Sequence, residues 1–420
     1  MFKLKKCVLK NGSIFIFALL LFIYVCFGLY NTYFCNAVTD ICWDVVYSID
    51  SGEKFWCLYL NQGFLSARHP IAHLLICPII LIFKLFIQNP KLIVIVLQSI
   101  VQCCVYYFIY KIVLTLTKKR KEALLWGLIF GFSYTALLFA TFPEIYVWAG
   151  FTQILMLYYV INFCQKQNQT INIKNILLLA VLMVICYGIN KINIVSSLIL
   201  IIFLLSKVYK KNIIKSVKVF LKILFFAFFF FILAVNIQKS VFSNYLYQNK
   251  DIHLDFKYNI EKIMDTEIGS LIEPFYALKS DYSIWKTKLH TRAGEDAFIS
   301  RWQRVQNQNP VQYIPAFLLI VFPICFYIKN KRKFKNRTFI NTLFLYIAVY
   351  IFFNYIHCSY ECALFALNYF PALIILLGIL YNEIKLKYKY RMLILFLIFE
   401  IVVNIYNLLE IHNFLDNLFV

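Results

Sequence analysis

His69-Pro-Ile-Ala-His-Leu-Leu-Ile-Cys-Pro-Ile-Ile-Leu-Ile-Phe83 is the run of sequence that decides the topology of this chain. Its 15 residues contain no Lys, Arg, Asp or Glu, and two of them are prolines. As an α-helix this run would span about 22 Å, whereas the hydrocarbon core of a bilayer is roughly 30 Å thick. The run is short for a membrane crossing, and whether it crosses fixes the side on which every later segment lies.

The composition of the whole chain indicates a membrane protein. Of 420 residues, 62% are hydrophobic and 15% are charged, whereas a soluble domain is about half apolar and a quarter charged. The net charge of +22 therefore reflects basic loops that orient membrane helices, and we expect no nucleic-acid partner. Residues 13–34 follow a basic N-terminus without a small-residue cleavage site, which predicts a retained helix and not a cleaved signal peptide.

The positive-inside rule indicates that the run at 69–83 does not cross. Four basic clusters follow it along the chain: Lys118–Lys121, Lys207–Lys222, Lys329–Arg337 and Lys385–Arg391. Without a crossing at 69–83, all four fall on the side of the basic N-terminus, and with a crossing all four fall on the opposite side. We therefore expect a cytoplasmic N-terminus and an interfacial or re-entrant helix on the outer face.

The sequence thus predicts an all-α polytopic membrane protein with about eleven transmembrane helices, an outer-face juxtamembrane helix and two long outer loops. An N-terminal transmembrane module covers 1–238 and contains the first outer loop, 35–91. A large outer loop covers 239–311, and a C-terminal transmembrane module covers 312–420. The predicted spans are 13–34, 92–116, 123–141, 147–165, 175–189, 193–207, 219–238, 312–328, 338–356, 362–381 and 392–409.

Most of the 13 cysteines lie in apolar runs, where cysteine acts as a small buried hydrophobe. We expect no disulfide framework and no zinc site from their spacing. A bridge remains open among the cysteines of the predicted outer loops, which are Cys35, Cys42, Cys57, Cys358 and Cys362.

The acidic residues concentrate on the predicted outer face, which holds 17 of the 20 Asp and Glu residues. Asp40 and Asp44 follow the first span at a spacing that would place both carboxylates on one face of a helix. Paired carboxylates can bind a divalent cation or raise one pKa for base catalysis. Glu144 and Glu361 each lie in a short outer loop, the latter four residues after His357. Considered alone, the two aspartates are equally typical of a solvated, helix-capping loop, and each glutamate is typical of the first turn of a helix.

Together these residues resemble the glycosyltransferase C superfamily, in particular its protein O-mannosyltransferase and lipid A aminoarabinose transferase members. The resemblance lies in an early acid after the first span, a His69-Pro70 pair that opens a juxtamembrane helix, and a lone acid after the third span. Asp40 or Asp44 matches the first-loop Asp, and Glu144 matches the second acid, which is more often Asp.

The stretch Tyr360–Pro371, which contains Glu361, is similar to the late acidic and aromatic helix start of many bacterial members. The chain departs from the family pattern at Ile71, where a second proline is common, and it has no adjacent Asp-Asp or Asp-Glu pair. The topology is similar over the whole chain, whereas the motifs cover about forty residues.

The resemblance implies a polyprenyl-phosphate sugar donor and transfer of the sugar to a lipid-type or glycan-type acceptor of the cell envelope. It implies an active site on the outer face of a bacterial inner membrane. Asp40 would be the general base, with Asp44 and Glu144 orienting the acceptor or binding a cation. Cations available for the donor phosphate are Arg68, His69, Lys191, Arg292, Arg301 and Arg304, with Lys191 the first choice. His357 and Glu361 are further candidates for substrate binding, and a divalent cation is the only cofactor considered.

Other interpretations are open. An O-antigen polymerase or ligase also combines many spans with a large outer loop, although such enzymes depend more on outer-loop arginines. A transporter or flippase would be expected to show an inverted repeat and charges within the membrane, and Glu400 is the one acidic residue inside a predicted span. His69 and His73 are four residues apart, which permits metal binding but is more typical of a packed helix face.

Overall fold

A computed structural model of the chain describes residues 2–30, 64–66, 69–140, 145–166, 170–210, 212–242, 246–248, 271, 274–276, 310–357 and 366–418. Within these ranges the chain forms thirteen α-helices and two short 3-10 helices. Two three-residue strands, β1 (Phe64–Ser66) and β2 (Leu246–Gln248), pair in parallel and join the first long connection to the second. Apart from this pair, the described protein is all-helical, as the composition predicts.

The first seven helices are α1 (Phe2–Leu29), α2 (Ala72–Lys84), α3 (Pro90–Thr117), α4 (Arg120–Phe132), α5 (Tyr134–Phe139), α6 (Tyr146–Gln165) and α7 (Ile173–Ile189). The remaining six are α8 (Asn193–Tyr209), α9 (Ile213–Val241), α10 (Pro310–Asn330), α11 (Arg337–His357), α12 (Phe370–Glu383) and α13 (Lys389–Leu418). The 3-10 helices are Lys331–Lys333 and Ala366–Asn368.

Six helical segments are long and apolar enough to cross a bilayer, which indicates a membrane protein. They are Gly12–Leu29, Lys91–Thr117, Tyr146–Gln165, Ile213–Val241, Tyr313–Lys333 and Lys389–Leu409. Four other predicted spans, 175–189, 193–207, 338–356 and 362–381, overlap shorter apolar helices, and α7 and α8 are separate as expected. The count of about eleven crossings stays a prediction.

Asparagine side chains begin three of the helices. Asn89, Asn172 and Asn212 each accept a hydrogen bond from the backbone N–H three residues later, at 3.3, 3.0 and 2.9 Å. Each bond satisfies one of the N–H groups that a helix start leaves without an internal partner. Asn89 is also followed by Pro90, whose fixed φ suits the first helical position.

The predicted span at 123–141 is helical but interrupted, because the helix breaks at Ser133 between α4 and α5. The Ser133 hydroxyl donates to the Phe130 carbonyl oxygen (2.6 Å) and accepts from Ala136 N–H (3.3 Å). The backbone N–H groups of Tyr134 and Thr135 donate to the carbonyl oxygens of Phe275 and Pro274, at 3.1 and 3.2 Å. Partners so distant in sequence replace the helical bonds that the break removes.

The helices have one basic end and one opposite end. At the basic end, Gly12 of α1 lies beside Arg120 at the start of α4. At the opposite end, Tyr30, Leu137 and Leu409 line one cavity, and the Ser99 hydroxyl near the start of α3 donates to the Ala140 carbonyl oxygen (3.1 Å). Residues 31–89 therefore leave α1 and enter α3 at the same, non-basic end of the bundle.

A buried ion pair fastens the basic end. Lys389 Nζ at the start of α13 lies 2.7 Å from Glu122 Oε1 in α4, and only 10% and 1% of the two side chains are exposed. Tyr390 donates its hydroxyl hydrogen to the same oxygen at 3.1 Å. Lys119 also approaches it at 3.5 Å, but 45% of its side chain is exposed. The pair links the N-terminal half of the bundle to the last helix.

We expect Lys389→Met to lower the free energy of unfolding by about 3 to 5 kcal/mol, because it leaves the Glu122 carboxylate buried without its main partner. Lys119→Met is the matched control and should cost under about 1 kcal/mol, since that lysine is half exposed. Unfolding by SDS in mixed micelles would measure both. Equal losses in the two variants would contradict the structural role of the pair.

Candidate functional site

The site is assembled around the start of α2, which carries the predicted His69-Pro70 pair. The His69 side chain is buried, and its Nδ1–H donates to the Ile189 carbonyl oxygen at the end of α7 over 2.5 Å. Since a carbonyl oxygen can only accept, this contact requires the proton on Nδ1. Ile71 N–H donates to the neighbouring Gly188 carbonyl oxygen at 3.1 Å. The first turn of α2 therefore completes the hydrogen bonding of the last turn of α7.

Gln238, near the end of α9, holds the same turn of α2 from the other side. Its Nε2 donates to the Pro70 carbonyl oxygen (2.7 Å), and its Oε1 accepts from Leu74 N–H (3.1 Å). The α2 N-cap residue, Ile71, has no side chain that can cap the helix, so Gln238 supplies this function from a distant helix. The amide is 2% exposed, which makes the two bonds valuable for the docking of α2.

Gly188 permits the close approach of α2 to α7. A Cβ atom added there would lie 1.9 Å from Cγ1 of Ile71 and 2.4 Å from its Cδ1. No side chain can be accommodated at these distances without displacing Ile71 and the turn that contains it. Glycine at this position is therefore a packing requirement.

Lys191 lies in the tight turn between α7 and α8, two residues after the carbonyl that binds His69. Asn190 shapes this turn, because its Oδ1 accepts from Ile192 N–H (3.3 Å) and its carbonyl oxygen accepts from Asn193 N–H (2.9 Å). The Lys191 side chain is half-buried. The structure thus brings together two of the residues that the sequence predicts for donor binding, His69 and Lys191, through the same short segment.

A buried polar network lies directly below this turn and was missed by sequence reasoning. Asn193 Oδ1 accepts from the Tyr350 hydroxyl of α11 (2.8 Å), and the Asn193 carbonyl oxygen accepts from Gln153 Nε2 of α6 (3.2 Å). The Ser196 hydroxyl is 2.9 Å from that of Tyr350 and also donates to the Asn193 carbonyl oxygen. Three helices are joined here by side chains that are all buried.

The network continues into the 3-10 helix Ala366–Asn368. The Tyr346 hydroxyl lies 3.0 Å from Gln153 Oε1 and 2.9 Å from the Asn368 carbonyl oxygen, and it can donate to either. A Cβ on Gly150 of α6 would lie 2.8 Å from the Leu367 carbonyl oxygen, so this segment packs tightly on α6. The 3-10 helix is thereby fixed to the same polar centre.

Part of the hydrogen-bonding capacity of this network is unused within the described residues. Asn193 Nδ2 and both side-chain amide atoms of Asn368 are buried and have no hydrogen-bond partner there. Buried polar groups are normally paired, because leaving one unpaired costs about 1 to 3 kcal/mol. These groups are consequently positions at which a polar ligand could be bound.

His73, the histidine within α2, is a buried packing residue. Burial lowers the pKa of His73 to about 4, so its imidazole is neutral at neutral pH, and its ring packs edge-on against Phe242 at 6.0 Å between centroids. Among the described residues, no group of three or more His, Cys, Asp and Glu side chains could hold a metal ion. The seven cysteines of the apolar runs form no disulfide bonds.

The predicted acidic residues are not among those the structure describes. Asp40, Asp44, Glu144, Glu361 and Arg68 lie outside the described residues, as do the five outer-loop cysteines and the arginines of the large predicted loop. His357 is the last residue of α11, and only its backbone is described. The assignments of these residues stay predictions.

An apolar cavity of about 400 Å³ lies between α1, α5 and α13, at the non-basic end of the bundle. Tyr30 marks the end of α1 in this cavity, ten residues before Asp40 in the sequence. The lining residues are Ile23, Phe27, Tyr30, Phe132, Leu137, Ile401, Ile405, Leu408 and Leu409. Its walls suit a hydrocarbon chain and offer little to a polar ligand.

We expect Gly188→Ala to undock α2 and lower the thermal stability of the purified protein, since the added methyl group clashes with Ile71. Ile71→Ala in the same chain should restore much of the loss by removing both atoms that clash. Gly12→Ala is the matched control, because a Cβ there meets only Arg120, at 4.0 Å. Thermal unfolding in detergent would measure all three. A Gly188→Ala protein as stable as Gly12→Ala would show that the close packing is absent.

Comparison with known proteins found no matching family model, no matching curated protein and no similar solved structure. The functional argument for this chain therefore rests on its own residues.

Proposed function

We propose that this protein is a membrane glycosyltransferase that moves a sugar from a polyprenyl-phosphate donor to a cell-envelope acceptor on the outer face of a bacterial inner membrane. The observation that supports this most is the hydrogen bond from His69 to Ile189, which fixes the predicted His-Pro motif beside the turn that carries Lys191. Two predicted phosphate-binding residues, distant in sequence, are thus positioned by one docking contact.

The positions of several helix ends support an active site at the non-basic end of the bundle, which we take as the outer face. Residue 30 of α1 and the start of α3 lie at this end, and so does Ala140, beside which the segment containing Glu144 begins. The basic residues Lys119, Arg120 and Lys389 lie at the other end. With about eleven crossings, the positive-inside rule puts that basic end and the N-terminus in the cytoplasm.

The proposed reaction divides its steps among these residues. Asp40 accepts the proton of an acceptor hydroxyl while the oxygen of that hydroxyl bonds to the anomeric carbon. The bond between that carbon and the phosphate oxygen breaks, and polyprenyl phosphate leaves. Lys191 and Arg68 stabilise the charge on the departing phosphate. Asp44 and Glu144 orient the acceptor or bind a divalent cation, and that cation is proposed on the spacing of the two aspartates alone.

The chemistry of the buried network matches the sugar of such a donor, and that of the apolar cavity matches its lipid. Asn193 Nδ2 and the side-chain amide of Asn368 have no hydrogen-bond partner among the described residues. Sugar hydroxyls can supply both the acceptors and the donors that these groups need. An isoprenoid chain is apolar, as is the lining of the cavity that Tyr30 and Leu409 help to form. The acceptor is proposed as a lipid or glycan that reaches the same face.

A lipid or polysaccharide transporter is the second candidate. The observation that favours it is the helix broken at Ser133, which bonds through the Phe132 carbonyl oxygen to Asn404, one turn after the buried Glu400. Interrupted helices and intramembrane acids are features of transport proteins. An O-antigen polymerase or ligase would use the same class of donor, but linked through a diphosphate. Transfer with release of polyprenyl monophosphate separates the proposed enzyme from both alternatives.

We expect purified wild-type protein in bilayers to release polyprenyl phosphate from a radiolabelled polyprenyl-phosphate hexose when a membrane extract supplies acceptor. Asp40→Asn keeps the size of the side chain but cannot take up the proton, so turnover should fall by about 10²- to 10⁴-fold with the fold retained. Asp44→Asn should have a smaller effect unless a cation bridges both residues, in which case a chelator reproduces the loss. Near-normal turnover of a folded Asp40→Asn protein would contradict the assignment.

We expect Lys191→Ala to weaken apparent donor affinity by about ten- to a hundredfold, because it removes a charge-assisted hydrogen bond of about 1.5 to 3 kcal/mol. Lys191→Arg should retain most of the affinity. Lys174→Ala, at the exposed start of α7, is the matched control for loss of a lysine. Donor titrations in the release assay would measure each variant, and an unchanged affinity in Lys191→Ala would exclude this lysine from phosphate binding.

A further inference from the structure

Glu400 is a buried acid that no described residue compensates by a hydrogen bond or an ion pair. It lies in the middle of the apolar segment Lys389–Leu409, its side chain is fully buried, and neither carboxyl oxygen has a hydrogen-bond partner among the described residues. An ionised carboxylate in such surroundings is costly, because no donor or cation of the described residues balances its charge.

The groups that face Glu400 are neutral. The phenol of Tyr276 interacts electrostatically with it, and Tyr276 packs on Phe396 and Phe399 of the same helix at 6.2 and 5.9 Å between ring centroids. Two other tyrosines on neighbouring elements contact residues 275 and 276: Tyr313 at the start of α10, through its ring, and Tyr134 on α5, through its backbone N–H. The titratable groups farther along α10 are Cys325, Tyr327 and Lys329 in its last turns, and α1 carries Cys26 and Tyr24, whose hydroxyl donates to the Gly131 carbonyl oxygen.

Charged residues on the elements packed against α13 are remote from Glu400. On α4 they are Arg120, Lys121 and Glu122, all in its first turn, and Glu122 is paired with Lys389. On α10 the charged residue is Lys329, in its last turn. Lys389 precedes Glu400 by eleven residues, which is about 16 Å along a helix axis. In the described structure, no lysine or arginine is thus placed to neutralise a charge on Glu400.

Near Glu400, residues 274–276 of the connection between α9 and α10 enter the helical bundle. Phe275 and Tyr276 are fully buried. Asn404, one turn after Glu400, donates through Nδ2 to the carbonyl oxygens of Phe275 (2.8 Å) and Phe132 (3.0 Å). The same carbonyl of Phe275 accepts from Tyr134 N–H at the helix break. Non-helical backbone at this depth is held by a polar face of α13.

We propose that Glu400 is a proton-binding site, and that its protonated carboxyl group holds residues 274–276 inside the bundle. The neutral acid has a donor that the carboxylate lacks. The hydroxyl oxygen of Tyr276, which like the Glu400 oxygens has no hydrogen-bond partner among the described residues, is the acceptor to which this donor is suited. Loss of the proton would place a bare charge beside the buried phenol of Tyr276. Release of the segment then lets water reach the carboxylate, so ionisation and insertion exclude each other.

This site does not depend on the proposed transferase reaction. It couples the protonation of one intramembrane acid to the position of residues 274–276, whose carbonyl groups accept from the backbone at the helix break after Ser133.

Infrared spectroscopy of the protein in bilayers tests the first part of this proposal. Wild type at neutral pH should show the carbonyl stretch of a protonated carboxylic acid, and this band should be absent in Glu400→Gln. Glu383→Gln, which removes an acid at the basic end of the bundle, is the matched control and should leave the band unchanged. A wild-type spectrum without such a band, or a band that persists in Glu400→Gln, would overturn the proposal.

Hydrogen exchange of the Tyr134 and Thr135 amides tests the second part, because both donate to the inserted segment. If release of residues 274–276 requires Glu400 to lose its proton, this release becomes up to about tenfold more frequent per pH unit above the pH at which the released carboxyl group ionises. In wild type, exchange of the two amides should therefore speed up by this factor in addition to the intrinsic effect of pH. Glu400→Gln should show only the intrinsic effect. If Glu400→Gln does not fold, wild-type amides of α3 serve as the internal reference. Exchange at Tyr134 and Thr135 that follows this reference at every pH would contradict the proposal.

Discussion

Backbone N–H and C=O groups that enter a bilayer must find partners inside the protein, and this constraint shapes the bundle wherever a helix begins, ends or breaks. The start of α2 depends on Gln238 from α9, the start of α5 depends on the carbonyl of Phe275, and the start of α8 depends on Asn190. In each case the backbone N–H groups at the helix start lack a partner within the helix. A residue distant in sequence, or for α8 a residue of the preceding turn, accepts their hydrogen bonds instead.

Those same replacements create the candidate functional region. Because Ile71 and His69 bond to the end of α7, the juxtamembrane helix is fixed beside Lys191. Because Asn193 is held by Tyr350 and Gln153, the turn that carries Lys191 rests on a rigid polar base. Groups whose first role is to satisfy the backbone thus position polar and charged side chains at the interface, where a lipid-linked substrate would present its phosphate and its sugar.

The helices were predictable from sequence because hydropathy is a local property. Apolar runs and basic clusters predicted the positions of α1, α3, α6 and α9, and they predicted that α7 and α8 are separate helices. The break at Ser133 was not predictable, since its cause is a contact with residues 274–276 more than a hundred positions away. The same holds for Gln238, which reads as an ordinary polar residue near a helix end until its two bonds to α2 are known.

A partial signal for the polar network was present in the helical spacing of Tyr346 with Tyr350 and of Asn193 with Ser196. Asp40, Asp44 and Glu144 lie outside the described residues, so their prediction rests on sequence alone.

The central claim is that the end of the bundle that contains His69 and Lys191 faces the outside of the cell and the basic end faces the cytoplasm. Single cysteines introduced at Lys191, Lys118 and Arg332, in a background without accessible native cysteines, can be labelled in intact cells and in inverted vesicles with a thiol reagent that does not cross membranes. The account predicts labelling at position 191 from the outside only, and at 118 and 332 from the cytoplasmic side only. Labelling of position 118 from the outside would contradict it.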